Sequence, residues 1–168
     1  MNIFVSDKDP KISAINLDDK RVVKMILETA QLLSTAIIMN GGEAPYKATH
    51  KKHPATIWAA NTKSNFMWLV QHGLYLGEEY SHRFNKEHKS IQVINHIIDN
   101  RLFEVIPNGE LESFANCTAN QTKGISYKHL DDAVEAYRAY LSSRWDTDTL
   151  VPKWTNRSKP EWYRGLYA

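Results

Sequence analysis

Lys24, Glu28 and Gln31 stand four and three residues apart in the segment DDKRVVKMILETAQLLSTAIIMNGG. That spacing puts a cation, a carboxylate and an amide on one side of a helix, within reach of a single ligand. Glu28 adjoins the apolar positions Val22, Ile26 and Ala30 rather than lying on the far polar side, so partial burial is expected. Burial disfavours the charged form of a carboxyl and makes it a candidate general acid or base near neutral pH. The same trio also describes a solvated helix face with Glu28 paired to Lys24, and the residues alone leave both readings open.

A second constellation is the loop Lys47-Ala-Thr49-His50-Lys51-Lys52-His53-Pro54. Three cations, two imidazoles and a hydroxyl precede a proline suited to the first turn of a helix, where free amides and the helix dipole favour anions. Phosphate is the natural ligand, and a solvated basic loop is the alternative. A third lies in the tail, where Trp154, Trp162, Tyr163 and Tyr167 alternate with Lys153, Arg157, Lys159 and Arg164. Cations that meet phosphates and rings that stack on bases suit a nucleic-acid strand; the alternative is a terminal segment that pins its rings into the core. The pairs His50/His53 and His82/His88 match no zinc spacing, so no metal is expected. Cys117 is the single cysteine, so it has no intramolecular disulfide partner, and it has no base near it in sequence. Neither a glycine-rich phosphate loop nor a Gly-x-Ser-x-Gly elbow occurs.

These residues need a scaffold, and the periodicity supplies helices. From Asp18, acids in the first turn, straight-chain helix formers and the stop Gly41-Gly42 predict a long helix. Val22, Ile26, Ala30, Leu33 and Ile37 face its core, with Val23, Leu27 and Leu32 widening the stripe. A short helix is expected from Pro54 to Ala60, and a longer one capped by Ser64 through NFMWLVQHGLYLGEEYSHRF. Gly73 and Gly77 on it would let a neighbour come close. Further helices are expected over Lys86–Asn100, with Ile91, Ile94 and Ile98 inward, and over His129–Trp145, with Leu130, Val134, Tyr137 and Leu141 on one face. The stretch from Pro107 to Tyr127 reads as a long surface loop with one short helix. Ile3-Phe4-Val5 reads as an edge strand or an extended arm.

The chain of 168 residues, 42% hydrophobic and 24% charged, fits one globular domain spanning 1–168. A net charge of +2 is too small to argue by itself for nucleic acid, so the local clustering of cations matters more than the total. No apolar stretch reads as a membrane span and no secretory pattern opens the chain, so a cytoplasmic protein is expected. The expected fold is all-α: a compact single-domain helical bundle with a short extended N-terminal arm and an irregular C-terminal tail.

The stretch Asp19-Lys-Arg-Val-Val-Lys-Met-Ile-Leu-Glu28 resembles the first helix of the phage-type pyrimidine-dimer DNA glycosylases, the endonuclease V family. That helix reads roughly Asp-Gln-His, then apolar positions, and ends in a catalytic glutamate at the same offset. Lys-Pro-Glu-Trp162-Tyr163-Arg164-Gly-Leu-Tyr-Ala is similar to the family's terminal Trp-Tyr-Lys-Tyr-Tyr-Gly, and the helix beginning Asn65-Phe66 can be laid over its second long helix. The chain also resembles a group of phage-encoded proteins with an N-terminal Asn-Ile-Phe-Val and a Lys-Met-Ile-Leu-Glu-Thr-Ala-Gln helix.

The resemblance implies a glycosylase or glycosylase/lyase that flips a nucleotide from kinked DNA, attacks C1′ with an N-terminal amine and nicks the strand through an imine. Glu28 would stabilise the sugar transition state and move protons. Asn2 is large enough to discourage removal of Met1, so the nucleophile would be the Met1 amine; an α-amine is a weaker base than lysine, which leaves a useful fraction nucleophilic at cellular pH. Arg21 stands where the family has histidine, and Leu27 and Gln31 where it has arginines. The candidate catalytic residues are therefore Glu28 and Met1. Asn2, Arg21, Lys24, Gln31, the Lys47–His53 loop with Thr49, His50, Lys51 and Lys52, and Trp162, Tyr163 and Arg164 are candidate contacts to DNA or a nucleotide, with no cofactor and no membrane partner. The rival readings are a nucleotide-binding module on the same scaffold without catalysis, and a helical protein-interaction domain.

Overall fold

The computed structural model describes residues 1–168 and contains six α-helices, one 3-10 helix and a two-stranded ribbon. The first helix, α1 (Pro10–Ile15), is too short to show a periodicity; it starts because the Asp9 carboxylate accepts the Lys11 N–H at 2.8 Å and Pro10 opens the turn. The long predicted helix is α2 (Asp19–Met39). Val22, Ile26, Ala30, Leu33 and Ile37 are fully buried, and Leu32 joins them. Val23 and Leu27 do not: they are 41% and 42% exposed, on the same side as Lys20 and Lys24. The core stripe is narrower than the apolar pattern suggests, because the neighbouring helices cover only one flank of α2. By length and composition α2 could cross a membrane, but most of it is buried against other helices.

α3 (Pro54–Asn61) is capped by His53, whose Nδ1 accepts the Ala55 N–H at 3.1 Å. α4 (Lys63–Phe84) starts at Thr62 rather than Ser64, since Thr62 Oγ1 accepts the Asn65 N–H at 3.0 Å. α5 (Ser90–Asp99) begins later than expected, with Ile94 and Ile97 fully buried and Ile91 and Ile98 half-buried. The glycines of α4 make its approach possible: a Cβ on Gly73 would stand 2.7 Å from Ile94 Cδ1, and one on Gly77 would stand 2.3 Å from Ile91 Cδ1. A 3-10 helix follows at Leu102–Val105. The long polar segment holds no α-helix; it forms an antiparallel ribbon, β1 (Ala119–Asn120) and β2 (Ile125–Ser126), with Ala119 opposite Ser126. α6 (Ala133–Thr147) begins after Asp132, whose carboxylate accepts the Val134 N–H at 2.8 Å.

α2 packs against α3, α4 and α5, and α1 lies on α4. The N-terminal residues form no strand; Ile3, Phe4 and Val5 are buried against the core, with Phe4 in the left-handed region and the Ser6 N–H donating to its carbonyl at 2.9 Å. The tail closes the other side. Arg157 grips Glu79 of α4 with two hydrogen bonds of 2.8 Å, and Thr155 Oγ1 donates to Asp19 at 2.6 Å. Burial alone would raise the Glu79 carboxyl, but the Arg157 and Arg83 guanidiniums hold it below the usual carboxylate value.

His72 of α4 is fully buried, stacked on Trp68, with Nδ1 3.1 Å from the Pro10 carbonyl and no partner for Nε2. Burial pushes its pKa from 6.5 down to about 4. Between those values the unfolded chain binds a proton that the folded chain refuses, so this contribution to stability is complete above pH 6.5 and is lost as pH falls toward 4. Lowering pH from 7.5 to 5 should cost about 2 kcal/mol through this group. Urea unfolding at the two pH values measures the loss, which should be smaller in His72→Gln; the same slope in both proteins would assign it to other groups.

Candidate active site

The N-terminal segment is held by its second residue. The Asn2 amide donates to the Cys117 carbonyl at 3.0 Å, and its oxygen accepts both the Ile3 N–H at 2.8 Å and the Tyr137 hydroxyl at 2.8 Å. Phe4, at φ 60, stacks on Tyr140 and lies under the Arg21 guanidinium. Arg138 Nε donates to the Ser6 carbonyl at 2.8 Å. These contacts bring the Met1 amine to 3.2 Å from Glu28 Oε1, with the Glu28 side chain 13% exposed. Glu28 lies midway along α2, so its backbone is rigid and the carboxylate has a fixed origin.

The pair opens into a cavity of about 270 Å³. Lys20, Lys24 and Glu28 come from α2, His53 from the start of α3, Cys117 and Ala119 from the ribbon segment, and Tyr140 and Arg144 from α6. Glu28 is the one carboxylate in the lining. Lys20 and Lys24 are exposed and unpaired, as are Lys47, Lys51 and Lys52 in the loop before α3. That loop is tied to α2 by the Thr49 N–H, which donates to Thr35 Oγ1 at 3.0 Å, and Thr49 Oγ1 lies 2.7 Å from His50 Nδ1. Burial, the Met1 amine and His50 hold the His53 imidazole below its ordinary value. Burial pushes the Cys117 thiol up, away from thiolate chemistry.

The structure thus gathers Met1, Glu28, Lys24 and His53 about one cavity. Asn2 and Arg21 line the same cavity with their polar groups already engaged, whereas Gln31 and the tail residues lie outside its lining. Asn2 is buried and its amide anchors the arm. Arg21 is 5% exposed and held between Asp18 at 3.0 Å and Asp148 at 2.9 Å, so both arms of its fork are engaged. The Arg21 and Arg144 hydrogen bonds outweigh the effect of burial on Asp148 and bring its pKa to about 2. Gln31 is half-buried, and its carbonyl accepts the Thr35 hydroxyl at 2.8 Å. In the tail, Trp162 stacks on Trp145 and Tyr163 is 2% exposed with its hydroxyl donating to Asp146 at 2.6 Å. Tyr163 belongs to the core, whereas Trp162 is half-buried and packs against its edge beneath the Arg138 guanidinium. Arg164 is exposed and lies outside the cavity lining.

Lys20, Tyr140 and Arg144 escape a reading of the sequence. Lys20 precedes Lys24 by four residues and so shares its face, a signal that was available. Tyr140 and Arg144 lie in α6 and have no local link to Glu28. A larger cavity of about 500 Å³ shares Lys20 and Arg21 with this one, but its lining carboxylates Asp18, Asp19 and Asp148 are all engaged by arginines.

No curated protein and no solved structure matches the chain. A family model does: that of pyrimidine dimer DNA glycosylase matches residues 1–92. The matched segment carries Met1, Glu28, Lys24, the Lys47–His53 loop and most of the helices around them. Because the match covers more than half of the 168 residues, the chain belongs to the pyrimidine dimer DNA glycosylase family.

Proposed function

We propose that this protein is a DNA glycosylase/lyase that uses the Met1 amine as nucleophile and Glu28 as acid/base. The observation that carries this reading is the 3.2 Å contact between amine and carboxylate inside a cavity rimmed by unpaired lysines. In the resting pair the ammonium gives its proton to Glu28. The free amine then attacks C1′ of a flipped nucleotide, and the glycosidic bond breaks with its electron pair on the departing base. The aminium so formed loses one proton to water, Glu28 returns its proton to the ring oxygen as the sugar opens, and a protonated imine joins Met1 and C1′. Glu28, again a carboxylate, takes a C2′ proton, the electron pair expels the 3′ phosphate and nicks the strand, and water releases the amine.

Borohydride trapping on a duplex with an abasic site tests the scheme. A covalent adduct is expected; a folded protein that gives none would remove the imine and leave hydrolysis or binding alone.

The lysines serve the phosphates. Each phosphate-contacting cation releases counterions, so log affinity falls with log salt by about 0.9 per contact. Replacing Lys24, Lys51 and Lys52 by Ala should weaken duplex binding and flatten that slope by about 0.9 for each residue removed. Filter binding between low and moderate salt measures it, and an unchanged slope would move the DNA to another face.

A further inference from the structure

His53 differs from every other donor in the cavity. Lys20 and Lys24 are exposed and have no ion-pair partner to fix them, Arg21 and Arg144 are engaged by Asp148, and the Tyr140 hydroxyl accepts from Arg144 at 2.9 Å. His53 instead has a ring fixed by the fold. Its Nδ1 caps α3 by accepting the Ala55 N–H at 3.1 Å. A neutral imidazole that accepts at Nδ1 carries its proton on Nε2. Protonating Nδ1 would set one N–H against another and remove the cap, and it would add a cation beside the Met1 amine. Burial and that amine also hold its pKa below the ordinary imidazole value. The Nε2–H makes no hydrogen bond within the protein, and the residue lines the cavity that holds Met1 and Glu28.

We infer that His53 stabilises the departing base, its Nε2–H donating to the carbonyl oxygen next to the glycosidic nitrogen of a pyrimidine. This rests on the amine reading above, because an amine that reaches C1′ fixes where the base must lie. The carbonyl at C2 of a pyrimidine is two bonds from the glycosidic nitrogen, so it stays close to C1′. As the C1′–N1 bond breaks, the electron pair passes to N1 and spreads onto that oxygen. A fixed neutral donor there stabilises the developing charge without having to give up a proton; water supplies the proton that completes the free base. A purine offers its ring N3 at the equivalent place, so the same donor serves the rate of base departure and does not by itself choose between the two classes of base.

His53→Ser is the test, because serine is a strong helix N-cap and keeps the start of α3 while being too short to reach the base. Two rates are read with each protein: base release from a pyrimidine-dimer duplex, scored as base freed once the cyclobutane ring is photoreversed after the reaction, and nicking of a preformed abasic duplex, where no base departs. Base release should fall by about 10²-fold, as expected for loss of one oriented donor to a developing oxyanion, while abasic nicking stays within about twofold. Equal falls in both rates, or base release at the wild-type rate, would overturn the role. Base release by wild-type protein without any borohydride adduct would remove the amine mechanism instead, and the base-release rates of the two proteins would still decide the part played by His53.

Discussion

A protein whose Met1 amine is acetylated, or carried outward by added residues, is expected to give no borohydride adduct and to lose on the order of 10³-fold or more in base release. The amine sits 3.2 Å from Glu28 in a partly enclosed cavity, and the arm that carries it is fixed through Asn2, Phe4 and Ser6. Acetylation removes the nucleophilic lone pair outright. An added residue moves the amine by at least one backbone repeat, out of reach of a C1′ seated beside Glu28. The checks are denaturing electrophoresis of the trapped complex and intact mass of the protein. An adduct that survives blocking would place the imine on a lysine at the rim, Lys20 or Lys24.

Glu28→Gln carries the second large effect. The replacement keeps the size of the side chain and the packing of α2, but it can neither take the amine's proton nor return one to the sugar oxygen. Base release should fall about 10²- to 10⁴-fold. Duplex affinity should hold or rise slightly, since a negative charge has left a rim of lysines. Single-turnover rates and equilibrium binding on the same duplex separate the two quantities. Turnover within tenfold of wild type would leave Glu28 as an anchor for the N-terminal arm and no more.

The helices were readable to different depths for identifiable reasons. α2 has acids at its start, an unbroken three-and-four apolar repeat and a glycine stop at φ 84, so its ends and its buried stripe followed from local chemistry. Val23 and Leu27 were misplaced because periodicity tells which residues share a face and not how much of that face a neighbour covers. The start of α4 fell on Thr62 rather than Ser64, since either hydroxyl could cap the same apolar run and the bond to the Asn65 amide decided. Nothing in the polar stretch before α6 announced the ribbon, whose strands are two residues each. The tail offers two readings of the same rings; packing around Trp145 buries Trp154 and Tyr163 and leaves Trp162 half-buried, which no local spacing records.

The site divides along the same line. Spacing and side-chain order alone put Lys24, Glu28 and Gln31 on one side of a helix, cluster cations before Pro54, and make Asp19 to Glu28 resemble the first helix of a known repair family. Those are local properties, fixed by a 3.6-residue turn and by the order of side chains. Packing brings the Met1 amine to Glu28 and places His53 and Arg21 in the lining of the same cavity, with the Arg21 fork held by Asp18 and Asp148. Asn2 reaches Cys117, Arg138 reaches Ser6 and Arg21 reaches Asp148, contacts that span more than a hundred residues of chain. Such closures depend on how helix faces pack once the core forms, and no spacing within a single segment records them.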